Sequence, residues 1–338
     1  MTTTRRARIA GTGMYVPERA VTNDDLAQLM DTSDSWIRQR SGIAERRFIV
    51  PGEQTPADLA TRASQEALAA ADLEPGDVDC ILLATLSAQH EFPGTSAFLH
   101  EQLGVGEIPC VDLRAQCSGF LYALSFADSL VRTARYERVL VVGCEVHSTG
   151  VELATRGRDV AVLFGDGAGA VIVEANDDPS DSAAILEVRL HAEGRYARKL
   201  WIEAPGASLA KSRVTHEMID DGRIYPKMDG RFVFKHAVTR MPEVLMEALS
   251  GASLKLEDVN LFLFHQANLR INEYVSQQLG IPAEKCLNNI DRYGNCSAAS
   301  IPMLLAEAQR AGRLAPGTVT AMTAFGSGFT WGSAIVRF

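Results

Sequence analysis

Apolar and polar positions along the chain follow the pattern of strands alternating with helices. Short continuous apolar runs, typical of strands buried on both faces, lie at 81–84, 139–142, 170–173, 261–264 and 318–324. Apolar residues at helical spacing predict amphipathic helices over 57–71, 119–132, 242–249, 268–279 and 298–311. This alternation predicts an α/β fold with mixed, mostly parallel sheets layered with helices.

The two halves of the chain resemble each other. In both, an apolar strand is followed by a helix that ends in QLG, at 102–104 and at 278–280. A second strand and a polar turn then follow, with QCSG at 116–119 and GNCS at 294–297. Copies of one unit stacked about a pseudo-twofold axis would bring these two turns together at the centre.

This duplication predicts two similar halves, 1–178 and 183–338, joined by a polar, turn-rich linker within 175–182. Residues 194–230 have little periodicity and are too many for a plain connection. We interpret them as an insertion at the surface or at the active site.

The composition is that of an ordinary globular protein, with 46% hydrophobic and 22% charged residues among 338. The net charge of −9 argues against non-specific nucleic-acid binding, which needs a basic face. No apolar run reaches the length of a membrane span, and the first residues do not have the pattern of a secretion signal. The six cysteines lack paired zinc spacing, so we expect free thiols, no metal and a cytoplasmic location.

Cys117 lies between a predicted strand and the helix predicted from Gly119. Amide groups at a helix N-terminus favour a thiolate, so this position predicts a cysteine of lowered pKa that suits acyl transfer. The alternative from the residues alone is a buried structural cysteine.

Two further polar residues occupy turns between a strand and a helix. His265 follows the strand at 261–264, and such a histidine points into the crevice where α/β folds bind ligands. The Asn295 amide can donate a hydrogen bond to an oxyanion. The alternatives are a histidine satisfied by local hydrogen bonds and an asparagine that caps a helix.

Two glycine-containing segments are candidates for ligand-binding loops. The segment at 326–328 (GSG) lets the backbone expose N–H donors to a ligand. The segment at 165–169 (GDGAG) lacks the context of a phosphate-binding loop and is interpreted as a tight turn.

Taken together, these motifs resemble the β-ketoacyl-ACP synthase III family, thiolase-fold condensing enzymes, over nearly the whole chain. The matching segments are TSDSWI (32–37), RSGI (40–43), CSGF (117–120), FGDGAG (164–169), HQANLR (265–270), GN with SAAS (294–300) and GFTWGS (328–333). The resemblance implies a duplicated fold with α-β-α-β-α layers. It also implies acyl-CoA and malonyl thioesters as substrates, no other cofactor, and a homodimer that works with an acyl carrier protein.

The resemblance assigns catalytic roles to three residues. Cys117 would carry the acyl group, and the N–H groups of Cys117 and Ser327 would form the oxyanion hole. His265 and Asn295 would stabilise the enolate formed when a malonyl thioester loses carbon dioxide.

The resemblance also assigns binding roles. Trp36 and Arg40, with either Arg156 or Arg158, would bind the adenine of coenzyme A. Asn268 would contact the pantetheine arm, and Phe325 would lie in the substrate site. Phe92 would cross the dimer interface into the partner's acyl pocket. Lys235 and Arg270 would help to dock the acidic carrier protein.

Some features depart from housekeeping members of the family. Gln277 and Gln278 stand where a lysine pair is common, Ser327 interrupts a run of glycines, and the segment 194–230 is long. The leading hypothesis is condensation that initiates fatty-acid synthesis. The alternatives are a specialised condensing enzyme with a longer or aromatic starter, such as those of alkyl-quinolone pathways, acyl transfer to oxygen or nitrogen, and a non-catalytic partner subunit.

Overall fold

The computed structural model describes residues 5–338. The strands are β1 (Arg6–Tyr15), β2 (Ala20–Thr22), β3 (Glu45–Arg47), β4 (Cys80–Ala84), β5 (Cys110–Leu113), β6 (Arg138–Glu145), β7 (Gly167–Asn176), β8 (Ala184–Ala192), β9 (Leu200–Trp201), β10 (Lys227–Met228), β11 (Leu261–Phe264), β12 (Val319–Gly326) and β13 (Thr330–Arg337). The helices are α1 (Asn23–Ala27), α2 (Asp34–Ser41), α3 (Pro56–Ala70), α4 (Thr95–Leu103), α5 (Gly119–Arg132), α6 (Arg158–Ala161), α7 (His216–Asp220), α8 (Gly230–Gly251), α9 (Leu269–Leu279), α10 (Ile290–Tyr293) and α11 (Ser300–Arg310).

Two mixed sheets form the framework, with strand orders β1-β7-β6-β4-β5 and β11-β12-β13-β8. Parallel pairing is confined to β6-β4-β5 and β11-β12, and the other neighbours in these two sheets are antiparallel. The prediction of mostly parallel sheets is therefore wrong, although mixed sheets are confirmed. The apolar runs indicate strands that are buried on both faces. Burial alone does not determine whether neighbouring strands are parallel or antiparallel.

Helices cover both faces of both sheets. The central layer is α5 and α11, which contact strands of both sheets. On the outer faces, α3 and α4 pack on the first sheet and α8 and α9 on the second. This is the α-β-α-β-α arrangement that the motifs implied.

Glycines allow the central layer to approach the first sheet closely. A Cβ atom on Gly143 would lie 2.3 Å from the carbonyl oxygen of Ala298, and one on Gly169 would lie 2.6 Å from the nitrogen of Met303. The tight turn predicted at 165–169 is therefore wrong, because β7 begins at Gly167 and its glycines serve packing against α11.

The second half departs from the repeat at one strand. The strand expected before Asn295 is reduced to a single parallel bridge between Phe262 and Cys286, and α10 follows. The equivalent turns are the 3₁₀ turns Gln116–Ser118 and Ser297–Ala299, so Ala298, and not Asn295, stands where the first half has Cys117.

One predicted helix start was also wrong. The apolar spacing predicted a helix over 242–249, beginning at Pro242. Helix α8 instead begins at Gly230, where the Asp229 side chain accepts from the amide of Phe232, and Pro242 lies inside it. The break between the two halves was predicted at 175–182, and the connection from β7 to β8 runs from 177 to 183.

Candidate active site

Cys117 lies in the 3₁₀ turn between β5 and α5. The turn is held by the Ser118 hydroxyl, which donates to the Ala115 carbonyl at 2.9 Å and lies 2.8 Å from Thr330 Oγ1. Gly326 closes over the cysteine so tightly that a Cβ there would lie 2.8 Å from Cys117 Cβ. The thiol is therefore fixed in a buried position.

Burial raises the pKa of the Cys117 thiol to about 11. The Ser297 hydroxyl and the backbone N–H groups of Cys117 and Ser327 act in the opposite direction but do not outweigh it. The lowered pKa expected from the helix terminus is therefore wrong, because desolvation of the charged form dominates. The resting thiol is protonated, and acylation needs a group that removes its proton.

His265 directly follows β11 and is 2% exposed. Neither ring nitrogen has a hydrogen-bond partner among residues 5–338, so the local-hydrogen-bond alternative does not hold. Burial lowers the pKa of His265 to about 3. The ring is neutral and carries one N–H group free to donate to a ligand.

Asn295 uses its side-chain oxygen to accept from the Ser297 amide at 2.8 Å. Its backbone N–H donates to the Leu163 carbonyl at 2.8 Å, and its backbone carbonyl accepts from the Gly165 N–H. These bonds fix the residue at the cavity wall, and none of them uses its side-chain NH₂ group. Because α11 begins later, at Ser300, Asn295 is not its cap.

The three side chains line one cavity of about 820 Å³, together with Phe325 and Gly326. A second cavity of about 510 Å³ lies on the other side of Cys117 and is lined mostly by apolar atoms. Cys117 and Leu200 line both. Leu200 comes from the 194–230 segment, as do Ile202 and Met228, so this segment forms part of the walls of both cavities.

Trp36 and Arg40 also line the larger cavity, and Arg158 lies beside Trp36. The guanidinium carbons of Arg40 and Arg158 lie 4.2 and 5.2 Å from the centre of the Trp36 ring. Arg156 instead binds Glu152 and the carbonyl of Asp220. Of the two arginines left open by the motifs, the structure places Arg158 beside Trp36.

Two other predicted binding residues also line this cavity. Asn268 caps α9 by accepting from the Arg270 amide and donates to the Arg40 carbonyl at 2.9 Å, which ties α9 to α2. Phe325 is 5% exposed and packs 4.8 Å from the ring of Phe329. Ser327 instead lines the smaller cavity, and its hydroxyl donates to the Leu200 carbonyl.

The remaining predicted residues lie on the surface. Phe92 is 82% exposed in the loop after β4, away from the centre. Lys235 is exposed on α8, and Arg270 is exposed at the start of α9, where it lines the mouth of the larger cavity.

The sequence reasoning missed two groups around the thiol. Ser297 Oγ lies 3.6 Å from Cys117 Sγ and 3.1 Å from His147 Nε2. His147 follows β6, which is parallel to β4, so the strand-end argument that selected His265 would also have selected it. Buried Glu145, whose pKa burial raises to about 7, ends the same strand.

Known proteins match this chain along nearly its whole length. Residues 249–338 match the family model described as 3-oxoacyl-[acyl-carrier-protein (ACP)] synthase III C terminal, and residues 111–194 match that of 3-oxoacyl-[acyl-carrier-protein (ACP)] synthase III. A β-ketoacyl-[acyl-carrier-protein] synthase III of Roseiflexus castenholzii (strain DSM 13941 / HLO8) is 42% identical over 332 residues, covering 98% of this chain and 98% of the relative.

Solved structures agree in fold. The crystal structure of 3-oxoacyl-[acyl-carrier-protein] synthase III from Aquifex aeolicus VF5 has a TM-score of 0.89 at 42% identity, with 98% of this chain and 100% of that chain covered. The priming β-ketosynthase from the R1128 polyketide biosynthetic pathway has a TM-score of 0.87 at 31% identity, covering 100% and 98%.

The layered sheets and the likeness to these enzymes define a thiolase-like acyltransferase. Within that class, the chain belongs to the β-ketoacyl-[acyl-carrier-protein] synthase III family. The family resemblance drawn from the motifs is thereby confirmed.

Proposed function

We propose that the protein loads an acyl group from acyl-CoA onto Cys117 and condenses it with a malonyl thioester, with His265 and Asn295 serving the second step. The observation that carries this proposal is that Cys117, His265 and Asn295 line one cavity that Trp36 also lines. A thiol, an unpartnered imidazole and an oriented amide are the groups that acyl transfer followed by enolate formation needs.

In the loading step, Cys117 Sγ attacks the thioester carbonyl and the coenzyme A thiol leaves with the proton of Cys117. Negative charge develops on the carbonyl oxygen. We assign the stabilisation of this charge to the backbone N–H groups of Cys117 and Ser327, both of which also lower the pKa of the Cys117 thiol. No metal takes part in this step.

In the second step, a malonyl thioester enters the larger cavity and its carbon–carboxylate bond breaks. The electron pair moves onto the thioester as an enolate while carbon dioxide leaves. The N–H of neutral His265 and the NH₂ of Asn295 donate to the enolate oxygen. A neutral histidine suits this role because it donates without being able to protonate the carbon.

Condensation follows when the enolate carbon attacks the acyl-Cys117 carbonyl. The carbon–sulfur bond to Cys117 breaks and a 3-oxoacyl thioester leaves. The thiolate takes up one proton from solvent, so each turnover consumes one proton and releases carbon dioxide and coenzyme A.

Binding of coenzyme A is assigned to the rim of the larger cavity. The Trp36 ring offers a face for the adenine, and Arg40 and Arg158 supply positive charge beside it for phosphate. Asn268 is placed further inward, beside the path of the pantetheine arm.

Carrier-protein docking is assigned to Lys235 and Arg270, exposed cations near the cavity mouth on a chain of net charge −9. We further propose a homodimer in which the exposed Phe92 ring enters the partner's acyl pocket. Free cysteines, such as all six here, are typical of the cytoplasm, where we place the enzyme.

A second candidate is condensation with a starter longer than acetyl. It is favoured by the cavity of about 510 Å³ beyond Cys117, which is far larger than a two-carbon chain needs. Leu200, Ile202 and Pro226 of the 194–230 segment line this cavity, so the segment would set the starter size.

Both candidates are tested by intact mass after incubation with acetyl-CoA, a medium-chain acyl-CoA or an aromatic acyl-CoA, with Cys117→Ser as the blank. Loading by acetyl-CoA supports initiation of fatty-acid synthesis, and loading by the larger donors alone supports the second candidate. Carbon dioxide release in step with product is required by both. Its absence would indicate acyl transfer to another acceptor, and no loading would indicate a non-catalytic subunit.

A further inference from the structure

A chain of two hydrogen bonds connects Cys117 to a second buried histidine. The Cys117 sulfur lies 3.6 Å from the Ser297 hydroxyl oxygen, and that oxygen lies 3.1 Å from Nε2 of His147. All three side chains line the smaller cavity. In the described part of the chain, Ser297 is the side-chain hydrogen-bond partner of the Cys117 thiol.

The His147 ring is held in place from several sides. It is 6% exposed and its centre lies 4.5 Å from the centre of the Phe164 ring. The backbone amide of His147 donates to Asp166 Oδ1 at 2.7 Å, which fixes the loop after β6. Ser297 is held equally firmly, because its amide donates to Asn295 Oδ1.

The titratable groups around the ring do not provide another partner for it. Asp166 accepts from backbone amides and from the Ser148 hydroxyl, and Glu145 accepts from the Leu86 amide and the Ser87 hydroxyl. His265 acts on His147 electrostatically. The Ser297 hydroxyl is thus the group to which Nε2 is committed.

We propose that His147 is a positioning residue that removes the proton of Cys117 through the hydroxyl of Ser297 during acyl loading. The inference rests on the proposed function, since it takes Cys117 as the nucleophile. It also divides the work of the two histidines: His147 serves the thiol, while His265 keeps its N–H for the enolate.

The proton balance is simple. Burial lowers the pKa of His147 to about 3, so this residue is too weak a base to ionise the resting thiol. As the sulfur–carbon bond forms, the S–H group becomes strongly acidic, and the Cys117 proton then passes to Ser297 Oγ while the hydroxyl proton of Ser297 passes to His147 Nε2. When the bond to coenzyme A breaks, the imidazolium returns its proton along the same hydroxyl to the departing sulfur. His147 and Ser297 end the step in their starting states.

The test is rapid-quench acyl loading, followed by intact mass, from pH 6 to pH 9. A neutral base that is already in contact makes the wild-type rate nearly independent of pH. Without the relay the rate follows the fraction of thiolate, and rises about tenfold per pH unit. We expect Ser297→Ala and His147→Leu each to slow loading about 10²-fold at pH 7 and to show this slope.

Three further variants separate a relay from mere support of the loop. His147→Gln keeps an acceptor for the Ser297 hydroxyl but cannot take up a proton, so it should be as slow as His147→Leu. The double variant with Ser297→Ala should be no slower than either single variant. Ser300→Ala removes a buried hydroxyl on the same segment as Ser297 that has no hydrogen-bond partner among the described residues, and it should load with the wild-type dependence on pH.

Each remaining outcome has a clear meaning. Rescue by His147→Gln, or a flat profile in Ser297→Ala, would overturn the relay. If the loading rate depends on pH in His265→Ala but not in His147→Leu, the base is His265 instead. If Cys117→Ala becomes acylated, the proposed function fails, whereas an inert Cys117→Ala with a normal loading rate in His147→Leu removes only the relay.

Discussion

Gln116 and Ser297 share a left-handed backbone conformation, with φ of 46° and 42°, and each opens the 3₁₀ turn in front of a central helix. Such a conformation costs a residue with a side chain about 1–3 kcal/mol. The duplication places the two turns in contact, one carrying Cys117 and the other presenting Ser297 to it. Two of the strained backbone positions therefore lie where the halves meet at the thiol.

Gly326 should be essential for the position of the nucleophile. A Cβ at this position would lie 2.8 Å from Cys117 Cβ and 3.0 Å from Cys117 N, so Gly326→Ala must displace the thiol. We expect acyl loading to fall about 10²-fold, since small displacements of a reacting group have effects of this size. Intact-mass time courses measure it.

Gly106→Ala is the matched control, because nothing lies within 4 Å of a Cβ at that position. Its loading rate should equal that of the wild type. A Gly326→Ala enzyme that loads normally would show that the turn around Cys117 adapts without cost.

Asn295→Asp should separate loading from condensation. Aspartate keeps the oxygen that accepts from the Ser297 amide but lacks the NH₂ group assigned to the enolate. Loading by acyl-CoA should persist while carbon dioxide release from malonyl thioester falls about 10²–10³-fold. The same loss in both steps would indicate that Asn295 acts by holding the turn, and not as a donor.

Much of the site could be found in the sequence because it follows strand ends. His265 directly follows the apolar strand at 261–264, and Cys117 directly precedes the helix whose apolar pattern begins at Gly119. His147 obeys the same rule, but it belongs to none of the recognised motifs, and its loop has no helical pattern directly after it. Its link to Cys117 depends on Ser297, which is distant in sequence.

The ionisation of Cys117 could not be predicted from sequence. The helix terminus was visible as a change of periodicity at Gly119, but the desolvation that outweighs it comes from Gly326 and other residues folded over the thiol. The prediction of mostly parallel strands was wrong for a similar reason. Helices on both faces bury antiparallel β7 as completely as parallel β4, so both have continuous apolar sequences.

Arg158 should contribute to coenzyme A binding and Arg156 should not. Both arginines bind neighbouring acidic residues, but Arg158 does so while lying against Trp36, whereas Arg156 is directed to Glu152 and the Asp220 carbonyl. We expect Arg158→Ala to raise KM for acyl-CoA about fivefold, the effect of losing a cation beside an exposed ring and a phosphate. Equal increases in Arg158→Ala and Arg156→Ala would contradict the assignment, and Trp36→Ala should exceed both.

Stability should fall in acid because two histidines are buried as neutral rings. Burial lowers the pKa of His147 and of His265 to about 3, while an unfolded histidine has about 6.5. The stability they contribute is present above pH 6.5 and is lost as pH falls toward 3, because only the unfolded chain then takes up protons. Between pH 6.5 and pH 5, each of the two histidines should lower the free energy of unfolding by about 2 kcal/mol.

The raised pKa of Glu145 has the opposite effect, lowering stability as pH rises toward 7, so the comparison must be differential. Urea unfolding of the wild type and of His147→Leu at pH 6.5 and pH 5 isolates one histidine. The variant should lose about 2 kcal/mol less than the wild type over this interval. Equal losses would mean that His147 is protonated in the folded protein.

Lys235 should distinguish a carrier-protein extender from a coenzyme A extender. It is exposed near the N-terminus of α8, whereas Lys255 follows the opposite end of that helix and is also exposed. Lys235→Glu should raise KM for malonyl-carrier protein about tenfold at low salt and leave KM for malonyl-CoA unchanged, with the difference shrinking as salt screens the contact. Lys255→Glu should change neither KM. If Lys235→Glu also has no effect on the carrier protein, docking does not use α8, and Gln277 and Gln278 on α9 become consistent with an enzyme that takes its extender from coenzyme A.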